Sequence, residues 1–97
     1  MGTVVAAGTW LYDGSVPTEV RVVRLGYDFW FAVGEADGEL ADRELPALNP
    51  DGYLYYVSFR PGSVEDGKFW PDSIGDQTLA EAKATAQRRL PGPVTWH

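Results

Sequence analysis

The chain predicts an α+β domain: an antiparallel β-meander of three to five strands with a single C-terminal helix, about 78–90, packed on one face. Three observations carry this. The stretch QTLAEAKATAQRRL reads as an amphipathic helix with its own cap. Ahead of it lie short runs rich in β-branched and aromatic residues, punctuated by turn signals. The two patterns are also segregated, strands first and helix last, which separates α+β from the alternation of α/β folds. Residues 1–97 form one domain.

Taken in order, TVVAAGTWLY at 3–12 predicts a first strand, interrupted near Gly8, and Asp13-Gly14 predicts a turn. Pro17 is tolerated at a strand start, and TEVRVVRL then alternates, with Val20 and Val22 on one face and Glu19 and Arg21 on the other. Gly26-Tyr27-Asp28 predicts a reversal into a third strand, FWFAV at 29–33. Residues 34–52 carry no periodic pattern apart from a possible helical turn at 39–44. Asn49-Pro50-Asp51-Gly52 is a turn signal with proline at its second position. It opens YLYYVSF at 53–59, where Tyr53, Tyr55, Val57 and Phe59 share one face and Leu54, Tyr56 and Ser58 the other. Residues 60–76 are rich in glycine, aspartate and serine, and Trp70 is expected to plug the edge of the core.

In the helix, Thr78 and Glu81 form a capping box, in which the Thr78 hydroxyl accepts from the Glu81 N–H and the carboxylate reaches back to the Thr78 N–H. Asp76 adds negative charge near the positive end of the helix dipole, and Arg88 and Arg89 lie at the negative end. Pro91-Gly92-Pro93 ends the helix. Leu79, Ala82, Ala86 and Leu90 give one apolar stripe, and its alanines allow close approach to a surface that supplies the bulk. Val94-Thr95-Trp96 is expected to be a short last strand. Phe29, Phe31, Val57 and Phe59 are predicted to be the face under the helix, leaving Trp30, Tyr56 and Trp10 on the second face.

Composition excludes several functions. The chain has no cysteine, so thiolate chemistry, disulfides and Cys-type zinc sites are out. No apolar run approaches the ~18–20 residues of a membrane span, the N-terminus lacks a basic, apolar leader, and Ala6 stands where a myristoylation motif needs serine or threonine. Cytoplasmic localisation and no membrane are the expectation. Few lysines, isoleucines and asparagines indicate a GC-rich, bacterial coding sequence. The net charge of −6 is concentrated in 34–51, where Glu35, Asp37, Glu39, Asp42, Glu44 and Asp51 face Arg43 alone. An acidic protein of this kind is a poor match to a phosphate backbone, so no nucleic-acid partner is expected.

Catalytic constellations are missing. His97 is the single histidine and stands last, where a frayed end cannot hold a general base. No phosphate-binding or nucleophile-elbow pattern occurs. EADGELADRE at 35–44 fails as a calcium loop: counted from Asp37, the sixth position is Asp42 and the twelfth Leu48, and counted from Glu35 they are Leu40 and Pro46. The expectation is a small non-enzymatic interaction domain with no cofactor, contacting a protein partner or a second copy. The contacts would be made by an open aromatic sheet face (Trp30, Tyr53, Tyr56), by the acidic loop (Glu35, Asp37, Glu39, Asp42, Glu44), or by both. The alternative is a small-ligand or divalent-cation binding protein using the same acidic segment.

Overall fold

The computed structural model describes residues 2–38, 45–59 and 71–97. They form β1 (Thr3–Tyr12), β2 (Val16–Leu25), α1 (Phe29–Asp37), β3 (Leu54–Ser58), α2 (Leu79–Arg89) and β4 (Thr95–Trp96). The four strands make one antiparallel sheet in the order β3-β2-β1-β4, with α2 packed on it. The class is α+β, as predicted.

The hairpin of β1 and β2 is the long axis of the sheet. Asp13 and Gly14 make its turn, both with positive φ (53° and 73°), a conformation glycine and short polar side chains accept best. The register between the strands shifts between Val4 and Ala6, a bulge in β1. Val20 and Val22 are fully buried on one face, as their spacing predicts, and Val23 and Leu25 are buried as well. Those last two point to the opposite face. Along VRVVRL the apolar residues change face, so this end of β2 needs cover on both sides.

Each side has its own helix, and here the sequence reading needs correcting. Residues 29–33 are the first half of α1 rather than a third strand. The aromatic run favours a strand locally, but the ends of the segment specify a helix. Asp28 is the N-cap, its Oδ1 accepting from Phe31 N at 3.1 Å, and Gly38 closes the helix in the left-handed region at φ 69°. Phe29 and Trp30 each lie one turn before Val33, and the three cover Val23, Leu25, Leu54 and Tyr56. The Tyr56 hydroxyl accepts from the Phe29 N–H at 2.8 Å, so a β3 side chain satisfies a helix-end donor.

On the other face α2 covers Val20 and Val57 through Ala86, with Phe59, Leu90, Val94, Trp96 and Trp10 around them. Val57 and Phe59 therefore lie under the C-terminal helix as predicted, whereas Phe29 packs on the opposite side, because it belongs to α1. Ala82 and Ala86 are fully buried, and α2 runs close to β3 and β2. The capping box forms in part: Thr78 Oγ1 accepts from Glu81 N at 3.1 Å, while the carboxylate takes the Thr78 hydroxyl proton at 3.0 Å instead of the backbone N–H. Asp76 also ties the helix to the preceding segment, its Oδ2 accepting from the Thr85 hydroxyl at 2.8 Å.

The outer edge of β3 is covered by residues 71–76. Tyr55 exchanges both backbone hydrogen bonds with Asp76, Val57 O accepts from Asp72 N, Val57 N donates to Ser73 Oγ, and Phe59 N donates to Asp72 Oδ2. Backbone groups that would template aggregation are thereby paired. The expected roles of Trp70 and of a helical turn at 39–44 lie outside the described residues. No described helix is long and apolar enough to cross a membrane.

Candidate functional site

The helices cover the β3 half of the sheet and leave the far end of the hairpin uncovered. β3 pairs with β2 only from Arg21 to Leu25, and β4 pairs with β1 only at Gly8 and Thr9. Residues 10–18 therefore run on as a two-stranded ribbon. Leu11, Tyr12 and Val16 are 48%, 60% and 53% exposed there, Leu11 on one face of the ribbon and the cross-strand neighbours Tyr12 and Val16 on the other.

Beside this ribbon lies a groove of about 910 Å³, walled by residues 9–14 of the hairpin on one side and by Pro91, Gly92, Pro93 and Thr95 on the other. Its construction follows from the sequence. The prolines cannot extend α2 and pass it into an arc. Gln87, one turn before the helix end, holds that arc: its Nε2 donates to Gly92 O at 2.8 Å, and its Oε1 accepts from Val94 N at 2.9 Å. β4 then docks on β1 at Gly8, where an added Cβ would sit 2.8 Å from Val94 Cγ1 and 2.9 Å from Trp96 Cε3. Only glycine permits that approach.

The lining is mainly apolar, with Trp10 and Tyr12 edge-to-face at 5.9 Å and 71° and two pyrrolidine rings opposite. Among the described residues, Asp13 is the one charged member of the lining. The Trp10 indole nitrogen is buried with no hydrogen-bond partner among the described residues, which few native polar groups tolerate. His97 is exposed but held: its N–H donates to Ala7 O at 2.9 Å and its Nε2 lies 2.8 Å from Thr9 Oγ1. The last residue is thus pinned beside β1 rather than frayed.

The residues chosen from sequence fall elsewhere. Tyr56 is completely buried between β3 and α1, which corrects the expectation that it faces a partner. Burial pushes its phenol up to about 12, opposed by the Phe29 N–H and reinforced by Asp28 and Tyr27. Trp30 is half-buried against the same core, its indole donating to Ser73 O at 2.9 Å. Tyr53 is half-buried with the Arg24 guanidinium 4.4 Å over its ring. These three do not form one open aromatic face, because α1 folds back over it. Glu35 and Asp37 are exposed on the last turn of α1, and Glu39, Asp42 and Glu44 lie outside the described residues. Among the described residues no three carboxylate or histidine side chains converge on a metal-sized site.

Sequence reasoning missed Leu11, Tyr12, Pro91 and Pro93 as a surface. The available signal was a mismatch of lengths, with two ten-residue strands beside one of five. No protein-family model, curated protein or solved structure matches this chain.

Proposed function

We propose that this protein is a small interaction domain that binds an extended peptide segment of a protein partner in the groove between the hairpin ribbon and the Pro91–Gly92–Pro93 arc. The observation that carries the reading is that the exposed Leu11 and Tyr12 both line that groove, with Val16 beside Tyr12 across the hairpin. A concave apolar site with a few polar groups at its edges is the usual form of a ligand site, and exposed tyrosine is favoured at interfaces. The acidic residues of α1 belong to a different surface and are not needed for it.

Selection of peptides from a random displayed library against the intact chain tests the proposal. Selected peptides are expected to lose binding to Leu11→Glu and Tyr12→Glu, which alter exposed side chains and leave the core untouched. Equal binding to the wild-type and both variants would sink the groove as the site.

A further inference from the structure

Resting on that reading, we infer that the bound segment presents an arginine side chain, which stacks on the Tyr12 ring and pairs with the Asp13 carboxylate. Asp13 stands in the hairpin turn at φ 53°, a position that asks for a short polar residue, and asparagine would fill it as well as aspartate. The turn therefore accounts for the size of this side chain and leaves its charge unexplained. Asp13 lines the groove, and among the described residues no second charge lies beside it there.

The Asp13 carboxylate has no ion pair or hydrogen bond among the described residues. The cations described are each engaged elsewhere. Arg21 pairs with Glu19, Arg24 lies over the Tyr53 ring and Lys83 over the Trp96 ring. Arg88 donates to the Thr85 hydroxyl and Arg89 to the Asp72 carbonyl. A counter-charge for the groove has to arrive with the ligand, and the net charge of −6 favours the approach of a cationic one.

The rings select a side chain over a bare metal ion. A hard cation needs several oxygen ligands, and one carboxylate with no other acid beside it cannot supply them. Tyr12 is exposed, and it offers a π surface next to the carboxylate, with Trp10 edge-to-face behind it. A cation held between such a ring and a carboxylate gains from both. Arginine suits this pair better than lysine, because its planar, weakly hydrated guanidinium stacks on the ring while its fork of N–H groups reaches the carboxylate. On the facing wall, the Pro91 and Pro93 carbonyls accept no hydrogen bond from the described residues, so they too suit a group that only donates. A second copy of this chain would bring the same carboxylate to the same groove, and like charges oppose it.

The test is an NMR titration of the intact chain with acetyl-Leu-Thr-Arg-Val-Leu-amide and with its citrulline version, which keeps the shape of arginine and removes the charge. Both are titrated into the wild-type, Asp13→Asn and Asp37→Asn. Asparagine keeps the turn, and Asp37, exposed at the end of α1, removes an equal charge away from the groove. Saturable binding of the arginine peptide is expected, with shifts at residues 9–14 and 91–95. Citrulline should weaken it about fivefold in the wild-type and in Asp37→Asn, and change nothing in Asp13→Asn. Equal binding of the two peptides in the wild-type groove overturns the arginine assignment and leaves the groove standing. A citrulline loss that persists in Asp13→Asn, or that shrinks in Asp37→Asn as much as in Asp13→Asn, overturns the pairing with Asp13. No shift in the groove with the arginine peptide overturns the inference, and the library selection then decides the groove separately. Peptide-free shifts of the same residues with protein concentration would assign the groove to a second copy and overturn the inference.

Discussion

The two ends of the sheet are made from the same pair of strands and have opposite fates. At the β3 end, β2 presents apolar residues on both faces, and α1 and α2 bury both. At the turn end, the same hairpin carries Leu11, Tyr12 and Val16 into solvent beside a groove. One end holds the fold together, and the other, Trp10 apart, lies outside both core clusters. On the proposed reading, stability and recognition are separated along a single hairpin.

That separation is open to direct attack. The largest effect is expected from Tyr56→Ala, which removes a fully buried ring and the acceptor for Phe29 N; chemical denaturation should show a loss of about 3–5 kcal/mol. Should Tyr56→Ala cost under about 1 kcal/mol, the two-helix core is wrong. Ala86→Leu follows, forcing bulk into the close contact between α2 and the sheet at a cost of about 1–3 kcal/mol.

Tyr56 also sets an alkaline limit. Its folded pKa, about 12, lies above the ordinary value of 10.0, so the fold favours the neutral phenol. That contribution is complete below the unfolded pKa and is lost as pH rises from 10.0 to about 12. Denaturation midpoints should fall across this window in the wild-type, and Tyr56→Phe should flatten the fall. The smallest effect belongs to the other end: Leu11→Ser and Tyr12→Ser should move stability by no more than about 0.5 kcal/mol. A loss comparable to that of Tyr56→Ala would show that the ribbon is part of the core and erase the contrast.

How legible each region was in the sequence follows a physical pattern. α2 could be read because its signals are local: Thr78 and Glu81 at its start, alanines at helical spacing, and prolines at its end. The Asp13-Gly14 turn could be read for the same reason, since positive φ restricts the residues that fit. α1 was misread because FWFAV has strand propensity; its caps at Asp28 and Gly38 override it, supported by the Tyr56 hydroxyl, which comes from twenty-seven residues away. Asp28 and Gly38 were local cues to its ends, outweighed by the aromatic run. The capped edge of β3 was equally hidden, as Asp72, Ser73 and Asp76 read simply as loop until β3 is beside them.

The sequence by itself determined the α+β class, the C-terminal helix, the first hairpin and the absence of cysteine chemistry, all of which depend on residue type and short-range spacing. Only the tertiary structure decided which aromatics are core and which are surface. Side-chain alternation assigns residues to the two faces of a strand but does not say which face another element will cover. α1 folding over Tyr56 removed the expected binding face, and β4 docking at Gly8 placed Pro91 and Pro93 across from Trp10 and Tyr12. Both are contacts between residues far apart in the chain, set by what each element must bury, and they moved the candidate site to the uncovered end of the hairpin.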